Sequence, residues 1–255
     1  PLSGCDDVVQ ARLRAEALAA TGRCAEAAPI LLDARAGLPQ SEAHALTARA
    51  AELYLTSGHA EEGMAQVHSL LGSLELRVPR SELGAGLWML ATSVQERFRR
   101  LREREQVEGS VRARIDLAWS VGRGLLLWRE DLGAALLMRS LGLARDAGDA
   151  RRTARGLVAR ALLMAGFAPG LAMRGLEQAE ELAERLDDDY LRGFSRATRG
   201  VVAARAGRWV EALALLDEGR RVLVERCVGT AWELSVFTSM TVRALMVVGS
   251  TRELL

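Results

Sequence analysis

The sequence predicts an all-α protein, a solenoid of about 12 antiparallel helices arranged as successive helical hairpins. Apolar residues recur at i, i+3, i+4 and i+7 along most of the 255-residue chain, which is the spacing of one helix face. Apolar residues make up 49% of the chain and aromatic residues only 4%, a composition that favours close-packed helices over a β-sandwich. A glycine turn also recurs, and Gly-Arg-Trp-Val-Glu-Ala at residues 207–212 is its clearest copy.

The apolar periodicity places the helices one after another along the chain. Five are predicted in the first part, at Asp6–Thr21, Cys24–Ala36, Ser41–Thr56, Ala60–Leu74 and Ser81–Glu105. Seven follow, at Gly109–Trp128, Asp131–Ala147, Ala150–Ala165, Gly170–Leu186, Tyr190–Ala206, Arg208–Cys227 and Thr230–Val248. Asp149 and Asp189 each precede a helix, and both are predicted N-caps. Pro29 lies inside an apparent helix, which therefore starts near Pro29 or kinks there.

The turn glycine marks the phase of the repeat. It occurs at Gly22, Gly58, Gly207 and Gly249, with weaker equivalents at Gly166 and at residues 128–131. Intervals between most copies are near those of two-helix repeats, whereas the interval after Gly58 is about double. The residue seven positions before the turn is small in four copies, namely Ala15, Ala51, Ala159 and Gly200. Small residues there let paired helices approach closely.

The double-length interval predicts an interruption of the array. Regular hairpins would place four helices between Gly58 and Asp131, but the pattern supplies about three, including the long odd helix 81–105. We therefore expect a single helical-repeat region over residues 1–255, with sub-arrays at about 1–78 and 106–255 joined by helix 81–105. The chain starts at Pro1 and ends at Leu255 as a further helix begins, so we interpret it as a piece of a longer polypeptide.

The charge and cysteine content indicate which classes of partner and which cellular compartment to expect. The net charge is +1, from 34 basic and 33 acidic residues, so no nucleic-acid or membrane partner is expected. The most apolar stretch, Val236–Val248, is interrupted by Arg243, and no membrane span is predicted. Three widely spaced cysteines fit a reducing compartment better than a disulfide scaffold. We expect a cytoplasmic location.

The residue types present offer little apparatus for catalysis. All basic residues are Arg, which excludes the Lys of a phosphate-binding loop, a Schiff-base enzyme or a kinase active site. His44, His59 and His68 lie near acidic residues and Cys24 in sequence, and these residue types are potential metal ligands. We interpret these histidines as surface or turn residues. The sequence thus predicts no catalytic residue, no cofactor and no metal site, and a partner that is a protein or peptide.

One arginine-rich segment has two interpretations. Arg97, Arg99, Arg100, Arg102 and Arg104 crowd the end of the odd helix among glutamates. We favour a solvated helix end, where cations also suit the helix dipole. The alternative is a docking patch for an acidic partner, with Arg99, Arg100, Arg102 and Arg104 as its candidate residues.

The degenerate turn pattern resembles the tetratricopeptide family. The glycine turn followed by Glu-Ala, the small residues before it and Pro39 support this resemblance across most of the chain. In tetratricopeptide arrays the first helix of each hairpin lines a concave face, so this resemblance implies a groove with Arg112, Arg155, Arg160, Arg196 and Arg199 as candidate residues. Such arginines would suit an acidic peptide or a carboxylate terminus, although salt-paired exposure on the surface is the favoured alternative.

A second resemblance rests on the segment after the clearest turn. Arg-Cys-Val-Gly-Thr-Ala-Trp-Glu at 226–233 follows the 207–212 motif, and together they are similar to the C-terminal region of large bacterial, myxobacteria-like serine/threonine protein kinases. The residues that carry this motif are Gly207, Trp209, Cys227, Gly229, Trp232 and Glu233. Such kinases place the kinase domain first, then a STAND-type NTPase module with its ATP site, then tetratricopeptide-like helices.

The kinase resemblance implies a non-catalytic sensor or interaction region whose catalytic and nucleotide sites lie N-terminal to this chain. Its partner would be another protein or peptide, or the N-terminal domains of the same polypeptide. One alternative is the effector-sensing helical tail of a STAND-type transcription regulator, which shares the same repeat physics. A third is a helical enzyme with an unrecognised site, for which a deep pocket with clustered carboxylates or histidines would be the mark.

Overall fold

A computed structural model describes residues 3–73, 103–104, 106–126 and 128–249, and this part of the chain is entirely helical, with eleven helices and no strand. The predicted all-α class is confirmed. The tetratricopeptide type of the repeat stays a prediction. The odd helix 81–105 lies outside the described residues apart from Glu103 and Arg104, which are not helical.

The chain divides into two compact units, Pro1–Gly148 and Asp149–Leu255. The described helices of the first unit are α1 (Ser3–Ala20), α2 (Cys24–Asp33), α3 (Gln40–Thr56), α4 (Ala60–Ser73), α5 (Gly109–Leu125) and α6 (Glu130–Ala147). Those of the second unit are α7 (Ala150–Met164), α8 (Pro169–Leu186), α9 (Asp189–Arg205), α10 (Trp209–Arg226) and α11 (Ala231–Val248). These bounds agree with the predicted helices to within a few residues, because the apolar periodicity is strong.

The glycines of the four clearest predicted turns adopt the left-handed backbone conformation. Gly22, Gly58, Gly207 and Gly249 all have φ between 78° and 87°, a region that a side chain other than glycine enters only with strain. In the turn at Gly207, the Arg208 N–H donates to the Ala203 carbonyl at 3.0 Å, which closes the helix end as a Schellman motif. The weaker copy at Gly166 lacks a positive φ, so only the stronger copies share this turn.

Within each unit, consecutive helices pack as hairpins. In the first unit α5 contacts both α3 and α6. In the second unit α9 contacts all four of the remaining helices, α7, α8, α10 and α11. The central position of α9 follows from its composition, since small and apolar residues occupy both of its packing faces, including Gly193, Phe194 and Gly200, all buried. Pro29 lies inside α2 rather than at its start.

Glycines set the closest approach between paired helices. A Cβ on Gly219 of α10 would lie 2.4 Å from the Ala197 nitrogen of α9, and one on Gly200 would lie 2.9 Å from Leu216 Cγ. The α5–α6 pair shows the same geometry, since a Cβ on Gly133 would lie 2.8 Å from the Gly122 oxygen. The small residue predicted at position 200 is therefore required by backbone contact.

The substitution Gly219→Ala tests this contact. The added methyl group would overlap the backbone of α9, and we expect the free energy of unfolding to fall by about 2 kcal/mol. Chemical denaturation followed by circular dichroism measures the change. Gly142→Ala is the control, because nothing lies within 4 Å of its Cβ position and alanine stabilises a helix interior by up to about 1 kcal/mol. Equal effects of the two substitutions would contradict a contact-limited hairpin.

A buried carboxylate joins α3 to α5 in the first unit. Glu52 is 2% exposed and accepts hydrogen bonds from Arg123 Nη2 at 2.6 Å and Ser120 Oγ at 3.0 Å. Arg49 Nη1 lies 3.1 Å from Glu52 Oε2, the oxygen that Ser120 also contacts, and Arg49 Nη2 binds Glu16 of α1. Burial alone would raise the pKa of the Glu52 carboxyl group, but the positive charges of Arg123 and Arg49 outweigh it, and this pKa is lowered.

Removing the Glu52 charge is expected to destabilise the first unit. Glu52→Gln removes the anion that the largely buried Arg123 guanidinium group contacts at 2.6 Å, and we expect a loss of about 3 to 5 kcal/mol near pH 7. Because the folded-state pKa is lowered, the wild-type advantage is complete above the unfolded value of about 4.3 and is lost as the pH falls through the folded value. Denaturation of both proteins between pH 7 and pH 3 measures the difference.

The control for Glu52→Gln is Asp217→Asn. Asp217 pairs with Arg221 in α10, and both side chains are more than 60% exposed. Exposed pairs contribute at most about 1 kcal/mol, so this substitution should change the stability little at any pH. A Glu52→Gln protein with the same pH profile as wild type would show that Glu52 carries no linked proton.

Candidate functional site

A small cleft in the second unit concentrates cationic side chains. It lies between the first turns of α7 and α9 and is lined by Arg151, Arg152, Arg155, Tyr190 and Leu191. The cavity volume is about 70 Å³. Its donors come from α7 and its apolar wall comes mainly from α9.

Two aspartates fix the helix starts that form the cleft. Asp149 caps α7 by accepting a hydrogen bond from the Arg152 N–H at 2.9 Å, and Asp188 caps α9 by accepting one from the Leu191 N–H at 3.1 Å. The predicted cap at Asp149 is confirmed. The predicted cap at Asp189 is wrong by one residue, because Asp189 is already helical. Successive aspartates at 187–189 made the choice between them ambiguous in the sequence.

The same aspartates bind arginines of the cleft. Arg152 Nη1 lies 2.9 Å from Asp149 Oδ2, and Arg151 Nε donates to Asp188 Oδ2. Each carboxylate therefore binds both a backbone N–H and a guanidinium group. The Arg151 side chain is 65% exposed, so the outer part of the cleft is accessible to a partner.

Behind the cleft, Tyr190 connects α9 to α11. Its hydroxyl group donates to Glu233 Oε1 at 2.9 Å, and Glu233 is fully buried. Aromatic rings continue the contact, with Tyr190 and Phe194 centroids 5.7 Å apart and Phe194 and Phe237 centroids 6.0 Å apart. Glu233 of the 226–233 motif thus lies under the cleft and holds one of its walls.

The remaining residues of the 226–233 motif form the connection between α10 and α11. Cys227 ends α10 in an extended conformation, and Gly229 has a φ of 74°. Burial, helped by nearby Asp189 and Asp188, raises the pKa of the Cys227 thiol. A raised pKa disfavours the thiolate, so Cys227 is poorly suited to act as a nucleophile. Trp209 and Trp232 are half-buried.

The other predicted groove arginines are dispersed. Arg196 binds Glu218 at 2.6 Å with both side chains about half exposed, and Arg199 binds Glu180 at 2.6 Å. Arg160 is buried, with its Nη2 near Gly175 of α8. Arg112 belongs to the first unit and is exposed. Of the five arginines, only Arg155 lines a described cleft.

Sequence reasoning missed Arg151, Arg152 and Tyr190 as cleft residues. The available signal was the run Arg-Arg-x-x-Arg at 151–155 directly after the Asp149 cap, because residues four apart share a helix face. Of the predicted docking patch, Arg99, Arg100 and Arg102 lie outside the described residues. Arg104 is exposed, and its N–H donates to the Gly148 carbonyl at 3.1 Å.

The first unit has a wider cleft in the equivalent place. It lies between the N-terminal halves of α3 and α5, has a volume of about 190 Å³, and its polar lining residues include Gln40, Ser41, His44, Ser110 and Arg114. In each unit, therefore, a cleft opens near the starts of the first helices of two hairpins, and it is mainly apolar in the first unit, where Ala113 and Leu117 complete its lining. This recurrence follows from the hairpin repeat itself.

Among the described residues, no group of three or more His, Cys, Asp or Glu side chains lies together as metal ligands would. One described helix, α11, is long and apolar enough to cross a membrane by length and composition alone, with a mean hydropathy of 1.3. Glu233, Phe237, Ala244 and Leu245 of α11 are buried.

A scan against protein-family models and a search of curated proteins both found no match to this chain. The resemblance to kinase-associated helical regions is therefore still a prediction.

The hydrogen bond between Tyr190 and Glu233 can be tested by Tyr190→Phe. This change removes the hydroxyl donor and leaves a fully buried carboxylate oxygen without it, so we expect a loss of about 1 to 3 kcal/mol in the free energy of unfolding. Urea denaturation measures it. Tyr54→Phe is a matched control, because Tyr54 is partly exposed and its hydroxyl is not part of the cleft. Equal stability of the two variants would contradict a structural role for the Tyr190 hydroxyl group.

Proposed function

We propose that this chain is a non-catalytic interaction or sensor region of a larger, cytoplasmic signalling protein. Its role is to bind a protein or peptide partner. The observation that carries the proposal is the recurrence of a cleft near the starts of two hairpins in each unit, with polar and apolar side chains together in its lining. Such clefts present side chains from rigid helices, which is how helical repeats offer extended surfaces to other chains.

The electrostatics of the described residues support binding rather than catalysis. The clearest lowered carboxyl pKa values belong to ion-paired groups, Glu26 beside Arg23, Glu52 beside Arg123 and Arg49, and Asp131 beside Arg129. Active sites instead place perturbed titratable groups together in a cleft. The two described clefts contain arginine, histidine, tyrosine and neutral polar side chains together with Leu191, Ala113 and Leu117, a mixture that suits recognition of a peptide segment with polar and apolar side chains.

We further propose that the larger protein is a bacterial serine/threonine protein kinase with a STAND-type NTPase module. The support is the resemblance of the 207–212 and 226–233 motifs. In the second unit these motifs supply the turn before α10 and the support of the cleft wall at Glu233. The partner is then another protein or the N-terminal domains of the same polypeptide.

The non-catalytic proposal can be tested by measuring whether this chain binds or hydrolyses ATP. With no Lys in the chain and no glycine-rich phosphate loop, we expect neither binding nor hydrolysis of Mg·ATP. Isothermal titration and a phosphate-release assay on the purified 255-residue chain measure the two activities. A known ATPase at the same concentration is the positive control. Turnover that persists through repeated purification would end the non-catalytic proposal.

The interaction role has its own test. The purified chain, immobilised through a terminal tag, is incubated with lysate of the source cell, and bound proteins are compared with those on an unrelated helical protein of similar charge. We expect reproducible enrichment of a partner that binds the purified chain directly when it is isolated. Failure to enrich any protein above the control would contradict the interaction proposal.

A further inference from the structure

We propose that an exposed stripe of α11 docks against the same stripe of a second copy of this chain, with the two helices antiparallel. The stripe consists of Ser235, Ser239, Val242 and Met246. This inference goes beyond the proposed interaction with another protein and does not depend on it, because the stripe lies outside both clefts.

The last described helix is apolar but little buried. α11 has 18 residues and a mean hydropathy of 1.3, and its buried residues are Glu233, Phe237, Ala244 and Leu245. In contrast, Val242 is 40% exposed and Met246 is 64% exposed. Apolar side chains that recur along one exposed surface indicate a site of contact with another molecule.

The four stripe residues lie on one face of α11. Their spacing of four, three and four residues keeps them within about 60° of one another around the helix axis, and all four are exposed. The buried residues Phe237 and Ala244 lie on the opposite side of the helix. The stripe therefore faces away from α9 and α10, against which α11 packs.

In the preceding hairpin the equivalent face is covered by a helix. Counted back from the turn glycine, the stripe corresponds to Gly193, Ala197, Gly200 and Ala204 of α9, and the first three of these residues lie against α10. Val242 occupies the position of Gly200, so α11 cannot accept a helix at the backbone distance of the α9–α10 pair. A helix that covers the stripe must interlock with larger side chains.

A second copy fits the stripe because the stripe is complementary to itself in the antiparallel direction. Two residues at equal distances on either side of the stripe midpoint lie side by side in an antiparallel pair. Ser239 then lies beside Val242 of the second copy, and Ser235 lies beside Met246 of the second copy. Each layer combines a small side chain with a large one, so the large side chains fill the space that the small ones leave.

The charges of α11 are compatible with this pairing. The helix has two charged side chains, Glu233, which is buried, and Arg243, which is exposed at the edge of the stripe. The two Arg243 side chains of an antiparallel pair are separated by about 7.5 Å along the helix axis, where solvent and salt reduce their repulsion. No charge is buried between the two stripes, and two-fold pairing uses the stripe of both chains.

Sedimentation equilibrium of the whole 255-residue chain measures the self-association. We expect the mass to rise from 27.6 kDa to twice that value. The dissociation constant should be roughly 1 to 100 µM, as expected for a small interface. Because the stripe is uncharged, added salt should not weaken the dimer. A chain that stays monomeric throughout this concentration range would overturn the inference.

Two substitutions locate the interface. Val242→Glu and Ser239→Glu each place a carboxylate between the stripes, and each should raise the dissociation constant about tenfold or more. Ser239 is exposed, so its substitution leaves the packing of the unit intact. The control is Val224→Glu in α10, because Val224 is 62% exposed and does not belong to the stripe. Circular dichroism confirms that each variant is folded, and unchanged dimerisation of both stripe variants would show that the stripe is not the interface.

Engineered cysteines determine the direction of the pair. In the antiparallel arrangement Ser235 lies beside Met246 of the second copy, whereas the two Ser235 residues are roughly 16 Å apart along the helix axis, beyond the reach of a disulfide. We expect a mixture of Ser235→Cys and Met246→Cys chains to form a disulfide between positions 235 and 246 under mild oxidation. Peptide mass spectrometry identifies the linked positions. A disulfide that joins position 235 to position 235 would indicate a parallel pair and contradict the proposal.

A lipid surface is the competing partner for the stripe, because α11 is also long and apolar enough to cross a membrane. Flotation with phosphatidylcholine vesicles separates the two cases. We expect the wild-type chain to remain in the soluble fraction as a dimer. If the chain instead floats with the vesicles, and Val242→Glu abolishes flotation, the stripe binds lipid and the proposed dimer is wrong.

Discussion

At several glycines, paired helices of this chain approach so closely that there is no room for a side chain. At Gly219 the backbone of α9 lies where a methyl group would be, and the Gly122–Gly133 contact repeats this geometry in the first unit. Close approach maximises dispersion contacts between otherwise small side chains, which is how a chain with only 4% aromatic residues builds a packed interior. The hairpin pairs, and the clefts at their starts, depend on this spacing.

Buried charge gives the close-packed helices a defined register. Glu52 of α3 binds Arg49 of α3 and Arg123 of α5. Glu233 of α11 accepts a hydrogen bond from Tyr190 of α9. An apolar contact would tolerate a shift along the helix axis, whereas a buried carboxylate must meet its donors or lose the free energy of their hydrogen bonds. The two carboxylates thus orient helices that glycine contacts bring together.

Two carboxylates that cap helices also bind the arginines of the cleft. Asp149 and Asp188 are needed to cap α7 and α9, and each also holds an arginine of α7. Capping and charge pairing therefore converge on one edge of the second unit. That convergence supports the proposed role in binding, because a cleft whose walls are fixed by helix caps and by the Tyr190–Glu233 hydrogen bond changes little when it meets a partner.

The sequence by itself determined the helical class, nearly every described helix and the strongest turns, because apolar periodicity and left-handed glycines act over a few residues. It also marked Asp149 as a cap and Gly200 as a contact position. Only the tertiary structure decided which charges meet. Glu52 and Arg123 are 71 residues apart, and the cleft combines two helices separated by α8. Periodicity gives the face on which a residue lies, but the partner across that face depends on how helices distant in sequence pack together.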